Sequence, residues 1–231
     1  MEAPPERGGV SVAVLGRLAR RTRERGLRAT AKKFFEDHLY RRSSSVIMEY
    51  RTEWGGNIGR PFTPDDGFSY QVVEPGQPVP ALGAWLERRR DDFEAMLADG
   101  KVGSFVSDAD GAFACLWLSF EDHRDRASRE FYRVGPREVY HYCWLLDPDR
   151  RKSNVALNMF RYTLAYAIGR GAERLFGVID RVNRPSYQIH KRFKYREAGT
   201  EVIHLYLLRT RWTLTRPYTG ELGLYANAGR T

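Results

Sequence analysis

The sequence predicts a mixed α/β domain that follows a basic helical segment. Patterns typical of strands and helices alternate from residue 44 to residue 231, which favours a layered sheet with helices packed on it. Two apolar runs, Val139–Leu146 and Leu175–Ile179, each lead through a short polar loop into a helical pattern. Hydrophobic residues make up 42% of the 231 residues, which is ample for a core.

The first half of this domain is predicted to contain four strands and one helix. Period-two patterns and turn residues predict strands at 45–54, 68–73, 101–107 and 112–120. A helix is predicted over 80–97, because apolar residues recur at helical spacing on one face: Leu82, Trp85, Leu86, Phe93 and Leu97. The Asp110-Gly111 pair predicts a hairpin between the last two strands, and the polar run 121–130 a loop.

The second half is predicted to alternate strands and helices. Strands are expected at 139–146, 175–179 and 202–208, and helices at 153–168 and 185–193, the latter with a proline in its first turn. On the strand at 139–146, alternation predicts that His141 and Cys143 share one face, with Tyr140, Tyr142 and Trp144 on the other. The chain is therefore divided into a basic extension, 1–43, and a domain, 44–231.

The loop before the helix at 153–168 has the chemistry of an anion site. Backbone N–H groups at a helix start are unsatisfied and bind phosphate, and Arg150, Arg151 and Lys152 add positive charge beside them. Ser153 and Asn154 stand where a glycine would bring the backbone closest to an anion. The alternative is a basic turn in which Ser153 or Asn154 caps an ordinary amphipathic helix.

The order of motifs from Asp147 to Gly199 resembles the core of the GCN5-related N-acyltransferases, the GNAT family. That family has a loop pattern [Q/R]-x-x-G-x-[G/A], on whose defined positions Arg151, Asn154 and Ala156 fall. It also has an Asn followed after seven residues by a Tyr and after five more by an aromatic residue. Asn183, His190 and Tyr195 keep that spacing, with histidine in the place of the tyrosine.

The resemblance implies a mixed, mostly antiparallel sheet with flanking helices, in which the two central parallel strands splay apart. It also implies that an acyl-CoA donor lies in the gap between the strands at 139–146 and 175–179. The residues that it implies for donor binding are Leu146, Arg151, Lys152, Ser153, Asn154, Val155, Ala156 and Asn183. Capping of the helix that starts near Pro185 is the alternative role of Asn183, and both roles can coexist.

Five residues are candidates for proton transfer. The family commonly places a tyrosine at position 190 to protonate the leaving thiolate; His190 can donate a proton too, since its pKa of about 6.5 lies near working pH. A surface histidine without such a role is the alternative, and Tyr187, one turn earlier, is a substitute donor. His141 and Glu138 are candidates for the general base, and a core histidine is the alternative for His141. Asp180, which ends the next strand, is a further candidate for the base, and capping of the following turn is its alternative role.

The net charge of +9 is concentrated near the N-terminus. Residues 17–33 contain eight Lys or Arg and one acid, and Val10 to His38 could form a basic amphipathic helix. Such a helix binds nucleic acid, lies on an anionic membrane surface, or remains solvated or packed on the protein. This segment therefore leaves open a tRNA as partner.

These observations lead to three functional hypotheses. The first is an N-acyltransferase that moves an acyl group from acyl-CoA to the amine of a small molecule. The second keeps the fold but uses an aminoacyl-tRNA as donor, and the third is a binding module without activity. We predict neither metal ligands, nor a transmembrane segment, nor a secretion signal, and the two cysteines, both in apolar strands, favour the cytoplasm.

Overall fold

The computed structural model of the chain describes residues 40–55, 62, 64–124, 131–150, 154–207 and 210–225. The chain divides into two compact units, residues 1–43 with 203–214 and residues 44–202 with 215–231. In the first unit, His204 Nδ1 lies 3.2 Å from Thr213 Oγ1. The predicted basic helix, Val10 to His38, lies outside the described residues. All the sites discussed below belong to the second unit.

Ten strands and four α-helices make up the described chain. The strands are β1 (Tyr40–Arg51), β2 (Ser69–Val73), β3 (Val102–Asp108), β4 (Gly111–Ser119), β5 (His123–Arg124), β6 (Phe131–Tyr132), β7 (Glu138–Leu146), β8 (Arg174–Asp180), β9 (Arg196–Leu207) and β10 (Thr210–Pro217). The helices are α1 (Ala84–Glu87), α2 (Arg90–Ala98), α3 (Val155–Gly169) and α4 (Arg184–Arg192). Short 3-10 turns follow β1 at Thr52–Trp54 and β7 at Pro148–Arg150.

The large sheet has the strand order β10-β9-β1-β8-β7-β4-β3-β2. Strand β1 pairs with β8, β4 with β7, β3 with β4 and β2 with β3, all antiparallel, whereas β7 and β8 run parallel. A mostly antiparallel sheet with one central parallel pair and flanking helices confirms the predicted fold class. It is the arrangement that the resemblance to the GNAT family implies.

Helix α3 packs its apolar side into the core. Its buried residues recur at helical spacing and are Val155, Met159, Phe160, Thr163, Leu164 and Ala167. They face a core that includes Trp117 and Leu118 of β4 and Leu175 of β8, all fully buried. Burial of such side chains is worth roughly 1.5–3 kcal/mol each, so this face fixes the start of α3 against the ends of the central strands. No helix in the described part of the chain is long and apolar enough to cross a membrane.

The prediction of a single helix over 80–97 is wrong. Residues 81–83 are extended instead, because Ala112 N donates to Ala81 O at 2.8 Å and Gly83 N donates to Ala112 O at 2.9 Å. Leu82 accordingly forms an isolated bridge with Ala112. Two helices follow, and the break between them lies at Arg88 and Arg89. Backbone pairing to β4 thus overrides a helical pattern of apolar residues.

The sheet also extends beyond its predicted edges. Strand β9 begins at Arg196, six residues before the predicted start, and β10 was not predicted. From Trp212 to Arg216 every residue of β10 is exposed, so β10 gives little of the apolar signal that marks a buried strand. The polar run 121–130 was predicted as a loop, but it contributes the short strand β5.

Candidate functional site

A cavity opens where the two parallel strands diverge. Strands β7 and β8 pair only from Glu138–Arg174 to Tyr140–Phe176, although both continue for several residues beyond. The cavity has a volume of about 480 Å³. Its lining comes from β4, β7, α3, β8 and α4: Leu116, His141, Tyr142, Cys143, Trp144, Leu146, Ala156, Val178, Ile179, Asn183, Pro185, Ser186, Ile189 and His190. The splayed strands that the resemblance implies are therefore present.

A β-bulge shapes the wall that β7 gives to this cavity. Cys115 pairs with Leu145 and Trp117 with Tyr142, so Cys143 and Trp144 together face the single residue Leu116. Cys143 has a φ of 49°, a left-handed conformation that a bulged residue can adopt. An extra residue in one strand reverses the alternation of side chains after it.

Because of the bulge, the Trp144 side chain lies on the opposite face of the sheet from the one predicted. Its ring stacks on Phe160 of α3, with centroids 4.9 Å apart and planes at 9°, and contacts His190 of α4. His141 also contacts Phe160 and His190. Trp144 therefore shares a face with His141, and the prediction that it lies with Tyr140 and Tyr142 is wrong. The single-residue insertion of the bulge is the physical reason.

His141 is enclosed by aromatic rings and by the backbone of β8. It is 4% exposed and stacks on His190, with ring centroids 5.1 Å apart and planes at 23°. Gly177 makes room for the imidazole, since a Cβ on residue 177 would lie 2.3 Å from His141 Cε1. The imidazole thus lies directly against β8, beyond the last residue pair that joins the two parallel strands.

His190 is buried, so the alternative of a surface histidine is wrong. Its Nδ1 lies 2.7 Å from the carbonyl oxygen of Ser186, which can only accept. Nδ1 therefore carries the hydrogen, and Nε2 is the unprotonated, basic nitrogen of the neutral ring. Three buried polar atoms in and around the stacked imidazoles lack a hydrogen-bond partner among the described residues. They are His190 Nε2, His141 Nε2 and the hydroxyl of Tyr195, whose ring contacts both histidines.

Both imidazoles are neutral at neutral pH. Burial lowers the pKa of His190 to about 4, although the hydrogen bond to Ser186 acts in the opposite direction. Burial, and after it repulsion from His190 whenever that ring is protonated, lower the pKa of His141 well below its ordinary value. The stacked pair therefore offers two uncharged imidazoles rather than an imidazolium acid. A neutral imidazole can accept a proton and release it again within one reaction.

Tyr187 is not among the residues that line the cavity. Its hydroxyl donates to Glu197 Oε1 at 2.7 Å, and burial followed by this carboxylate raises the pKa of Tyr187. Glu197 also accepts from the Tyr218 hydroxyl and from the backbone N–H groups of Leu222 and Gly223. The Tyr187 hydroxyl thus joins α4 to the carboxylate on β9 that also holds residues 218–223.

Glu138 lies at the opposite end of β7 from the donor loop. Its carboxylate accepts from Arg174 Nη1 and from the Gly135 N–H, each at 2.9 Å. Burial raises the pKa of Glu138, but these two partners outweigh it and hold that pKa below its usual value. His141 lies three residues further along β7, which corresponds to about 10 Å. Glu138 is not part of the cavity lining, so its carboxylate is not placed to contact an amine in the cavity directly.

The opposite end of the cavity carries the described part of the expected donor site. Leu146, Ala156 and Asn183 line it, and Val155 is buried in the first turn of α3. Asn154 occupies the N-cap position without a capping hydrogen bond from its side chain. Arg151, Lys152 and Ser153 lie outside the described residues, so their role stays a prediction.

Asn183 caps α4, as its alternative role predicted. Its Oδ1 accepts from the backbone N–H of Ser186 at 3.2 Å. The Nδ2 donors of the same amide take no part in this cap and can contact a ligand while the cap is kept. Asp180 similarly accepts from the Val182 N–H at 3.0 Å, which is its alternative role as the cap of the turn.

Several site residues escaped prediction from the sequence. Gly177 interrupts an otherwise bulky strand, and a glycine inside a strand signals a close approach of another group. Cys143 and Trp144 enter the cavity wall through the bulge, which no local sequence signal marks. Among the described residues, no group of three or more His, Cys, Asp or Glu is placed to hold a metal ion.

No protein-family model matches the sequence, and a comparison with curated proteins gives no match. Solved structures of similar fold include a Drosophila protein, with 12% identity, a TM-score of 0.48 and coverage of 86% of this chain and 58% of that one. A GCN5-related N-acetyltransferase from Kribbella flavida has 13% identity, a TM-score of 0.44 and coverage of 78% and 63%. One from Sphaerobacter thermophilus has 14% identity, a TM-score of 0.45 and coverage of 79% and 57%. The chain thus spans less than two thirds of the length of these structures.

Proposed function

We propose that the chain is an N-acyltransferase that moves an acyl group from acyl-CoA to the amine of a small molecule. The observation that supports this most is the cavity between the splayed strands β7 and β8. It joins the first turn of α3 to a buried pair of neutral imidazoles. One end suits a phosphate-bearing donor, and the other suits proton transfer at a reacting centre.

The donor would lie along β7, from Leu146 towards His141. Because of the bulge, the partners of these two residues on β4, Leu118 and Ala114, are only four residues apart, which corresponds to about 13 Å. An extended arm that carries a thioester can reach from the helix start to the histidine pair over this distance. The pyrophosphate would bind at the start of α3, with Arg151 and Lys152 beside it. Asn183 would donate from Nδ2 to a carbonyl of the arm while its Oδ1 keeps the cap on α4.

The reaction that fits this arrangement is attack of an uncharged amine nitrogen on the thioester carbonyl carbon. A C–N bond forms, the C–S bond breaks, and one proton must pass from the nitrogen to the departing sulfur. His190 would accept that proton on Nε2 and return it to sulfur, so the imidazole is unchanged at the end. Because the ring is neutral with its hydrogen on Nδ1, we assign His190 as a proton shuttle rather than a preformed acid.

His141, the other ring of the stacked pair, would assist the same proton transfer. Its Nε2 is buried and lacks a hydrogen-bond partner among the described residues. A buried polar atom without a partner costs free energy, and a ligand or a bound water that supplies a hydrogen bond recovers it. We therefore expect His141 to contact the reacting groups when both substrates are bound.

Titration calorimetry and thermal melting with CoA test the donor site. We expect CoA at millimolar concentration to raise the melting temperature of the full chain, since a ligand that binds only the folded state stabilises it. Ala156→Glu places a carboxylate on the first turn of α3 and should abolish the rise. Gln188→Glu adds the same charge at an exposed position of α4 outside the cavity and should keep it. No shift with the unmodified chain would refute CoA as donor.

The aminoacyl-tRNA alternative depends on residues 1–43, most of which lie outside the described part of the chain. It stays a prediction from charge. A gel shift with tRNA over a salt series distinguishes it from the acyl-CoA proposal, because phosphate contacts weaken steeply with salt. The third hypothesis, a non-catalytic binding module that has lost donor binding, would give neither CoA binding nor turnover.

A further inference from the structure

The reacting end of the cavity has a second wall, on the sheet face opposite His141. Tyr142 and Val178 line the cavity together with His141 and His190. Tyr142 follows His141 directly along β7, before the bulge, so the two side chains lie on opposite faces of the sheet. The cavity reaches both faces because the pairing of β7 with β8 stops at Tyr140 and Phe176. An acceptor can therefore approach the thioester from the Tyr142 side while the donor lies on the other.

The Tyr142 ring is held rigidly by its neighbours. It stacks on Tyr140 with centroids 5.3 Å apart and planes at 6°, and it contacts His123 at 4.1 Å. Tyr140 in turn contacts Tyr132 at 4.9 Å and Phe176 at 5.3 Å, and all three of these rings are buried. A ring fixed in this way offers a flat apolar surface to a ligand. Binding does not have to immobilise the ring, so this part of the entropic cost is absent.

The cavity lining near this wall is neutral. Among its described residues are aliphatic and aromatic side chains, an amide, a hydroxyl, a thiol and the two buried imidazoles, but no Asp, Glu, Lys or Arg. On the Tyr142 face, Arg174 binds both Glu49 and Glu138 further down the sheet. Asp180, two residues after Val178 at the end of β8, lies outside the lining and accepts from the Val182 N–H. An alkylammonium ion brought to the imidazoles would lose its hydration and meet no carboxylate in the described lining, which is unfavourable.

We propose that the acceptor is an aromatic amine of low basicity, such as an aniline, which binds uncharged with its ring against Tyr142. The proposal rests on the proposed function and names the substrate class of the same site. An aniline nitrogen is unprotonated at neutral pH, so its lone pair attacks the thioester carbonyl without prior loss of a proton. As the C–N bond forms, the nitrogen becomes acidic enough for a neutral imidazole to take its proton. The C–S bond then breaks and the sulfur receives that proton.

Thiol release from acetyl-CoA with three amines of similar size tests the acceptor. Aniline is aromatic and weakly basic, benzylamine is aromatic and strongly basic, and cyclohexylamine is neither aromatic nor weakly basic. We expect kcat/KM for aniline to exceed that for each of the others by at least about tenfold at neutral pH, because only aniline enters without desolvating a charge. Equal or higher kcat/KM for benzylamine or cyclohexylamine would overturn the proposal.

Substitution of Tyr142 tests the location. Tyr142→Leu should raise KM for aniline by roughly three- to tenfold, since it removes the stacking surface, and Tyr142→Phe should not. The affinity for CoA should stay unchanged in both variants, which shows that each is folded. Equal KM values for the Leu and Phe variants would overturn the assignment of this wall.

The two proposals fail in different ways. If CoA neither binds nor shifts the melting temperature, the proposed function itself is wrong. If CoA binds but aniline is not acetylated, the donor site stands and the acceptor proposal is overturned.

Discussion

The imidazole of His141 occupies the space that a side chain on residue 177 would need. A Cβ there would lie 2.3 Å from Cε1 and 2.9 Å from Nδ1 of His141. The ring cannot move aside easily, since Phe160, His190 and Tyr195 surround it with centroid distances of 5.1–5.6 Å. Gly177 and His141 therefore form one structural unit, and the cavity depends on both.

Gly177→Ala should lower the free energy of unfolding by about 1–3 kcal/mol, the usual cost of overpacking a core. Urea denaturation measures it. Gly169→Ala is the matched control, because nothing lies within 4 Å of a Cβ at that position near the end of α3. Adding His141→Ala to Gly177→Ala should cost less than the sum of the two single changes, since His141→Ala removes the imidazole that the new methyl group would meet. Strict additivity, or a fully stable Gly177→Ala chain, would contradict this relationship.

His190→Phe should lower kcat by roughly 100-fold while the affinity for CoA stays the same, because a proton shuttle acts in the transition state. Phenylalanine keeps the aromatic contacts with Phe160 and Tyr195 at 4.9 and 5.0 Å, so the fold should persist. Steady-state rates with acetyl-CoA and calorimetry with CoA measure the two quantities. An unchanged rate in His190→Phe combined with a loss in Tyr187→Phe would transfer the role to Tyr187.

The buried neutral state of His190 also predicts how stability depends on pH. Its pKa is about 4 in the folded chain and about 6.5 when unfolded. Above pH 6.5 both states are neutral and His190 contributes no pH dependence. Between pH 6.5 and 4 the unfolded chain binds the extra proton, so stability falls as pH falls, by roughly 3 kcal/mol in total from this group.

Urea midpoints from pH 7.5 to 4 measure this loss, and His190→Phe should show a smaller one over the same window. His141 titrates beside His190 and its pKa is lowered as well, so the variant should retain part of the slope. Equal slopes in the two chains would mean that His190 is solvated in solution.

The order of elements was largely predictable because strands and helices leave local patterns. Helix α4, with a proline in its first turn, was predicted from the sequence, whereas the burial of His190 was left open. The bulge at Cys143 and Trp144 was not predictable, because it depends on the pairing of β7 with β4, so alternation alone put Trp144 on the wrong face. Tyr142 and Val178 could not be predicted as site residues from the sequence either. They line the cavity only because two strands far apart in sequence diverge, and divergence leaves no local pattern.

Glu197→Gln should loosen the segment that follows β10. Its carboxylate accepts four hydrogen bonds, from Tyr187, Tyr218, Leu222 and Gly223, at 2.5–2.8 Å. Hydrogen bonds to a charged group are worth about 1.5–3 kcal/mol each, and the neutral amide keeps only part of that. Hydrogen exchange of the Leu222 and Gly223 amides should accelerate at least about tenfold, whereas the exposed Glu121→Gln should leave it unchanged. Equal exchange in both variants would show that the segment is held by other contacts.

Two substitutions of Asn183 separate its cap from its expected contact with the donor. Asn183→Asp keeps an oxygen that can accept from the Ser186 N–H but removes the Nδ2 donors, so stability should stay within a few tenths of a kcal/mol. Affinity for CoA should nevertheless fall several-fold, since the arm loses a donor and meets a negative charge. Asn183→Ala loses both functions and should cost about 1 kcal/mol of stability as well. Melting temperatures and calorimetry on the same samples separate these effects. If Asn183→Asp binds CoA as the unmodified chain does, Asn183 serves only as the cap of α4, and the donor's arm must be held by other groups along the cavity.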